Sequence, residues 1–158
     1  ASGIDSTYKE YLFIFNDLHP ETDAQKLTVG FRDGSTAYDA TKTTTYFGSY
    51  HYEGDSDAAI GYSTGNDIAQ GTGFQGLTSS VGNDNDQCCS GYLRLFNPSS
   101  TTFVKHFISN ISDASHDDAN DDTFVAGYCN TTSAIDGVQF KFASGEIQGG
   151  TISLYGIN

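Results

Sequence analysis

Hydrophobic and polar residues alternate with a period of two along most of this chain, a pattern typical of β-strands with one buried face. Turn-forming residues, mainly glycine, asparagine and aspartate, separate the alternating segments. Eight segments of strand length result, and they comprise residues 8–15, 26–31, 41–55, 91–100, 101–112, 123–130, 137–145 and 150–158. The pattern therefore predicts about eight strands.

The sequence contains neither an amphipathic helical pattern nor an apolar run long enough to span a membrane. Eight antiparallel strands in two layers is the number found in jelly-roll domains. We therefore predict an all-β fold, an antiparallel and jelly-roll-like β-sandwich. No linker or internal repeat divides the sequence, so residues 1–158 are predicted to form a single domain.

The first predicted strand is apolar on both faces. Tyr11, Phe13 and Phe15 alternate on one face, and Leu12 and Ile14 occupy the other. A strand of this kind is usually covered on both sides. We expect the core of the chain to cover one side and another subunit or sheet to cover the other, so all five residues are candidate interface residues.

The last predicted strand has a second face that also suits a contact. Tyr155 and Ile157 lie on the face opposite its alternating aliphatic residues, and both are candidates for a subunit interface. We predict that the chain enters this strand through a tight turn at Gly149–Gly150. The segment at residues 137–145 is then the predicted hairpin partner.

The chain is strongly acidic, with 20 acidic against 7 basic residues and a formal net charge of −13. Nucleic acids and anionic membranes are bound through Lys and Arg, so neither is expected as a partner. The three cysteines, Cys88, Cys89 and Cys129, are odd in number and two are adjacent, which argues against a disulfide framework. We expect reduced thiols in a chain made in a cytoplasm.

The most acidic run extends from Ser112 to Asp122. Asp118, Asn120 and Asp122 have the spacing with which a calcium-binding loop begins. Thr123 stands where such a loop requires glycine, and the glutamate that would close the loop is missing. We therefore favour a solvated loop and keep a Ca²⁺ site, completed by other loop aspartates, as the alternative. No other cofactor is predicted.

Two short motifs match catalytic signatures without the required context. Gly71–Gly76 matches G-x-G-x-x-G, yet the helix that a dinucleotide site requires does not follow. Ser63 lies in G-x-S-x-G, whose nucleophile needs a strand before it and a helix after it. We interpret both as loops and predict no enzyme and no catalytic residue.

The chain has ten tyrosines, more than one small core is expected to bury. Tyr46, Tyr50 and Tyr52 alternate within one segment and are candidates for a glycan-contact surface, on which sugar rings stack. Two alternatives remain open, namely strands that face neighbouring subunits and ordinary partial burial.

Several segments resemble a widespread family of tailed-bacteriophage virion proteins. They read STYKEYLFIFNDLHPETD, KTTTYFGSYHYEGD, LFNPSSTTFVKHFISN and FVAGYCNTTSAIDGVQFKFASGEIQGGTISLYGI. The most specific is the last, in which IDGVQFKFASG is followed by a closing GTISLYGI. The resemblance covers nearly the whole chain and is weakest over residues 61–86. It implies a β-sandwich that assembles on the external surface of a virion and carries no catalytic residues.

The resemblance leaves two roles open. A decoration or cement protein binds the capsid lattice, with further copies of itself and the major capsid protein as partners. A tail-fibre tip associates with tail proteins and binds host receptors. Because no fibrous stalk precedes the domain, we expect a capsid decoration protein that acts as a homo-oligomer, expected to be a trimer. Recognition of a host surface glycan by a tail-fibre tip is the alternative.

Overall fold

A computed structural model describes residues 3–158, in which there are ten β-strands and no helix. In chain order the strands are β1 (Glu10–Pro20), β2 (Leu27–Arg32), β3 (Lys42–Tyr52), β4 (Ala58–Tyr62), β5 (Gln75–Gly76), β6 (Cys89–Phe96), β7 (Lys105–Ala114), β8 (Ala119–Cys129), β9 (Gly137–Phe142) and β10 (Ile147–Ile157). Within the described residues, therefore, no helix is present that could cross a membrane.

The strands form two antiparallel sheets. Seven of them follow the order β10-β1-β6-β7-β8-β3-β4, and three follow the order β5-β2-β9. The prediction of an all-β antiparallel sandwich is confirmed, although residues 3–158 contain ten strands rather than about eight. The two additional strands are β4, in which all five residues are exposed, and β5, which has only two residues. Neither shows the alternation from which a strand is predicted.

A hydrophobic core fills the space between the two sheets. We call the face of the seven-stranded sheet that contacts this core the inner face, and the opposite one the outer face. Phe13 and Phe15 of β1 each pack against Phe140 of β9 with ring centroids 5.0 Å apart. Phe31 of β2 contacts Phe107 of β7 with centroids 4.8 Å apart. These aromatic pairs join the two layers and fix which side of each strand points inward.

Two lysines are fully buried at one end of the core. Lys42 of β3 and Lys105 of β7 lie on either side of Cys129 of β8 in the strand register. The Lys105 ammonium donates to three backbone carbonyls, the nearest that of Thr131 at 2.8 Å, and Lys42 donates to that of Gly73 at 2.7 Å. Burial lowers the pKa of both amines and raises that of Cys129 to about 12. The hydrogen bonds offset the cost of burying these amines and tie neighbouring loops to the sheet.

The predicted turn at Gly149–Gly150 and the predicted hairpin with residues 137–145 are both wrong. Both glycines lie inside β10, which pairs with β1, whereas β9 pairs with β2 in the smaller sheet. Gly150 has a φ of 95° and faces a bulge in β1, where Asp17 also has a positive φ. A Cβ at Gly150 would overlap the Asp17 carbonyl. Glycine is therefore required here for a close approach of two backbones.

The acidic run from Ser112 to Asp122 is mostly strand and not the predicted loop. β7 continues to Ala114 and β8 begins at Ala119, so only residues 115–118 form the turn between them. Aspartates occupy inward as well as outward positions of these strands, and this removes the hydrophobic alternation that would have revealed them.

Candidate functional site

The outer face of the seven-stranded sheet carries apolar or aromatic side chains on every strand. Some of them are register neighbours, for example Ile14 with Tyr92 and Phe47 with Phe124, and the polar residues Arg94 and Asn110 stand between the two groups on β6 and β7. We call this set the outer apolar band, and its members are Tyr155, Ile157, Leu12, Ile14, Tyr92, Phe96, Ile108, Phe124, Tyr128, Phe47, Ile60 and Tyr62. Six of these side chains are exposed and the other six are half-buried.

The structure divides the five candidate interface residues of β1 between two environments. Tyr11, Phe13 and Phe15 are between 0 % and 2 % exposed and belong to the core. A contact between molecules through these three would require the core to open, so they cannot be interface residues of the folded protein. Leu12 and Ile14 are half-buried members of the outer apolar band. The interface hypothesis for β1 is thereby restricted to these two.

The two candidate interface residues in β10, Tyr155 and Ile157, lie next to strand β1 on the same face of the sheet. Tyr155 is the register partner of Leu12, and Ile157 is the register partner of Glu10. Tyr155 is 55 % exposed because β10 is an edge strand and no further strand follows it in the sheet. The four candidates that remain therefore form one continuous part of the outer apolar band.

At the β8–β3 end of the band two aromatic rings stack on each other, and few side chains there are charged. The rings of Phe47 and Phe124 are parallel to within 5°, with centroids 5.1 Å apart. Elsewhere on the outer face Arg94 forms an ion pair with Glu10, so that their charges cancel. Asp122, which lies on the same face two residues before Phe124 and accepts a hydrogen bond from Asn110 at 2.6 Å, adds one negative charge, so the face carries little of the net charge of −13 of the whole chain.

A cavity lies at the β3–β4 end of the inner face, and the three predicted glycan-contact residues, Tyr46, Tyr50 and Tyr52, all line it. We call it the tyrosine cavity, and its volume is about 500 Å³. Its other polar lining includes Ser79, Ser80, Ser115, His116, Asp117, Asp121 and Thr123. The cavity reaches the edge strand β4, where Ile60 and Tyr62 of the outer apolar band also line it. No Lys or Arg is among the described residues that line it. The cavity thus combines aromatic rings, hydroxyl groups, two carboxylates and one imidazole, that of His116, whose Nδ1 lies 3.9 Å from Asp117.

The hydroxyl groups of two of these tyrosines donate hydrogen bonds to aspartates. Tyr50 donates to Asp57 at 2.8 Å and Tyr52 donates to Asp117 at 2.9 Å. These hydrogen bonds raise the pKa of both phenols, while burial raises the pKa of Tyr46 to about 12. Since the phenolic hydrogens of Tyr50 and Tyr52 are already donated, these residues offer a ligand their oxygen lone pairs and ring faces.

Two neighbouring carboxyls lie at the wall of the cavity. Asp121 of β8 lines it, and Asp113 of β7 is the register partner of Asp121. Asp113 is 2 % exposed, and neither of its carboxyl oxygens has a hydrogen-bond partner among the described residues. The backbone amides of Ser79 and Ser80 approach it and partly lower its pKa. Burial and the charge of Asp121 nevertheless raise that pKa to about 8, and burial raises the pKa of Asp121. Asp113 is therefore mainly protonated at pH 7.

The residues with calcium-loop spacing do not converge. Asp118 lies in the turn between β7 and β8, whereas Asn120 and Asp122 belong to β8. Asn120 accepts a hydrogen bond from Ser112, and Asp122 accepts one from Asn110. Among residues 3–158 there is no group of three or more His, Cys, Asp or Glu side chains placed to hold a metal ion. These residues therefore do not form the loop that their spacing suggested.

The two glycine motifs lie outside any strand–turn–helix unit. Ser63 follows β4 and precedes a turn at residues 64–66, and its side chain accepts a hydrogen bond from Asn66. Gly71–Gly76 leads directly into and includes β5. Cys88, Cys89 and Cys129 are all free thiols, and burial raises the pKa of each.

The fold defines a broad class, the all-β proteins built as an antiparallel sandwich of two sheets. Comparison with known proteins adds no narrower identity, because no family model, no curated protein and no solved structure matches the chain. Function must therefore be inferred from the outer apolar band and the tyrosine cavity.

Several residues of both sites were not predicted from the sequence. Three of these residues could have been assigned to the outer face from the sequence, because they alternate with buried residues on the same strands. They are Phe47, Ile108 and Phe124. The pairing of Asp113 with Asp121 could not be assigned in this way, since it depends on the register between two strands.

Proposed function

We propose that the chain is a non-enzymatic structural protein of a phage virion, that it acts as an oligomer, and that its copies associate through the outer apolar band. The observation that carries this proposal is the band itself, which extends over all seven strands of one sheet face. Large contiguous apolar patches on soluble proteins usually mark an interaction surface.

The charge distribution favours a second copy of the same chain as the first partner. Two molecules with a net charge of −13 repel each other, and the repulsion is weakest where the touching surfaces are neutral. The outer face comes close to this condition, because Arg94 and Glu10 neutralise each other and Asp122 is hydrogen-bonded to Asn110. An interface made for a basic partner would instead present unpaired carboxylates.

Capsid decoration is the role that we propose for the oligomer, with the major capsid protein as its second partner and the external virion surface as its location. The resemblance of the segments around β1, β3, β7 and β10 to virion proteins supports it. The experiment is a reconstruction of the virion in which copies of this chain are counted and placed. Hundreds of copies over the head are expected, and a few copies confined to the tail would contradict decoration.

A second candidate function is host-glycan recognition at the tip of a tail fibre. The observation that favours it is the convergence of Tyr46, Tyr50 and Tyr52 on one cavity of about 500 Å³, a size suited to a small ligand. A purified domain with this function should adhere to host surface polysaccharide. Replacement of Tyr50 and Tyr52 by alanine should abolish adhesion, and it should leave the oligomeric state unchanged.

A further inference from the structure

We infer that the tyrosine cavity binds an amino sugar through its free, protonated amine. The inference rests on the second candidate function, glycan recognition, and names the ligand class for that site. It rests on the charge of the cavity lining and on two tyrosine hydroxyl groups that already donate their hydrogens to aspartates. The buried Asp113 behind the wall leaves Asp121 as the charged carboxyl at that place.

The charge of the lining selects against anions and favours cations. Asp117 and Asp121 line the cavity, no Lys or Arg is among its described lining residues, and its one basic side chain, His116, lies 3.9 Å from Asp117. Most of the surrounding charge is also negative, because the chain has 20 acidic and 7 basic residues. Sulfated or carboxylated sugars would therefore be repelled, whereas an ammonium group would be attracted.

The tyrosines are arranged to accept hydrogen bonds and to contact a cation. Tyr50 and Tyr52 already donate their hydroxyl hydrogens to Asp57 and Asp117, so a ligand meets oxygen lone pairs. A ligand group that fits must be a donor, and an ammonium group donates three hydrogen bonds without accepting any. The electron-rich faces of the two rings, which make an edge contact with centroids 5.6 Å apart, favour the same positive charge.

The buried carboxyl of Asp113 lies behind the part of the cavity wall that Asp121 forms. Its carboxyl is 98 % buried, lacks a hydrogen-bond partner among the described residues, and lies in register with Asp121 of the cavity wall. A buried polar group of this kind is costly for the folded protein by itself. Because Asp113 is mainly protonated at neutral pH, the negative charge at this part of the wall belongs to Asp121, and a cation in the cavity would pair with that charge.

The rest of the ligand is expected to be a sugar because hydroxyl groups line the remaining wall. Ser79 and Ser80 are the half-buried hydroxyl groups of this wall and match the hydroxyl groups of a sugar ring, whereas Ser115 already donates to Asp117 at 2.6 Å. Aromatic rings beside them provide a surface for the apolar face of the ring. Glucosamine unites the ammonium and hydroxyl groups that the cavity recognises.

The test compares three sugars that differ at one position, by calorimetric titration of the full chain at pH 6.5. Glucosamine carries an ammonium group there, N-acetylglucosamine a neutral amide and glucose a hydroxyl. We expect glucosamine to bind on the order of tenfold more tightly than the other two, since a charge-assisted hydrogen bond is about twice as strong as a neutral one. Equal binding of all three sugars would overturn the inference and leave glycan recognition intact. No binding of any of them would overturn both.

A pair of variants locates the interaction. Asp121→Asn keeps the shape of the side chain and removes its charge, so the preference for glucosamine should be lost while binding of glucose stays unchanged. Asp118→Asn is the matched control, because Asp118 is an exposed carboxylate in the nearby turn and outside the cavity lining. Unchanged selectivity in Asp121→Asn, or an equal loss in Asp118→Asn, would contradict the assignment. Thermal melting of both variants verifies that each remains folded.

Discussion

Asp113 and Asp121 face each other across β7 and β8, with both carboxyls directed to the inner face of the seven-stranded sheet. Like charges directly opposite each other in an antiparallel pair are destabilising. The sandwich tolerates the pair because burial keeps Asp113 protonated at neutral pH, with a pKa raised to about 8. The position is therefore a site where stability depends on pH.

Asp113→Asn should stabilise the protein by an amount that grows as the pH rises. In the unfolded chain Asp113 ionises near its ordinary pKa of 3.8, whereas in the folded chain it ionises at about 8. Its contribution to the free energy of unfolding is thus complete below pH 3.8 and is lost progressively as the pH rises to about 8. Asparagine resembles the protonated acid and does not ionise.

Thermal unfolding of wild type and Asp113→Asn at pH 4.5 and pH 8 measures this effect. The variant should gain at least about 1 kcal/mol over wild type between the two pH values, since one pKa unit corresponds to about 1.4 kcal/mol. Asp86→Asn, at an exposed carboxylate of the β5–β6 connection, is the control. If the difference in stability between Asp113→Asn and wild type is the same at pH 4.5 and at pH 8, the raised pKa of Asp113 is wrong.

Gly150→Ala should destabilise the protein, whereas Gly149→Ala should be tolerated. A Cβ at Gly150 would overlap the Asp17 carbonyl, and its φ of 95° is strained for any side chain. At Gly149 the nearest heavy atom to a new Cβ, the His19 Cβ, is 3.6 Å away, an ordinary contact. We expect a loss of about 1 to 3 kcal/mol for Gly150→Ala. Urea unfolding of the two variants measures it, and equal stability would contradict the pairing of β10 with the β1 bulge.

These two glycines illustrate how far the fold could be predicted from sequence. The alternation of β10 identified the strand and its two faces, because alternation is a local property. The role of the Gly149–Gly150 pair depends on which strand is its neighbour, and nothing local to β10 specifies a bulge in β1. β4 was missed for a different reason, since it is held by pairing to β3 and has no buried face.

Phe13→Ala and Leu12→Ala should have very different effects on stability, although the two residues are adjacent. Phe13 is fully buried between the sheets, so its truncation should cost about 3 to 5 kcal/mol. Leu12 points to the outer face, and its truncation in the monomer should cost less than about 2 kcal/mol. Urea unfolding at low protein concentration, where association contributes little, compares them. Equal losses would mean that the outer face is covered within the monomer.

The functional sites were predictable only in part, for a related reason. The spacing of Tyr46, Tyr50 and Tyr52 was sufficient to place them on one face of one strand. The cavity also needs Ser79 and Ser80 from the β5–β6 connection and Asp121 from β8, which only the tertiary fold brings together. The outer apolar band likewise joins seven strands whose order cannot be read from their periodicity.

The central claim, association of this chain through its outer apolar band, is tested most directly by sedimentation velocity of wild type, Ile108→Asp and Phe103→Asp at the same concentration. Ile108 is a 44 % exposed member of the band, and Phe103 is a 69 % exposed residue of the β6–β7 connection outside it. Wild type and Phe103→Asp should sediment as the same oligomer, expected to be a trimer, and Ile108→Asp as a folded monomer with an unchanged melting temperature. A monomeric wild type, or an Ile108→Asp variant with the mass of the wild-type oligomer, would contradict the claim.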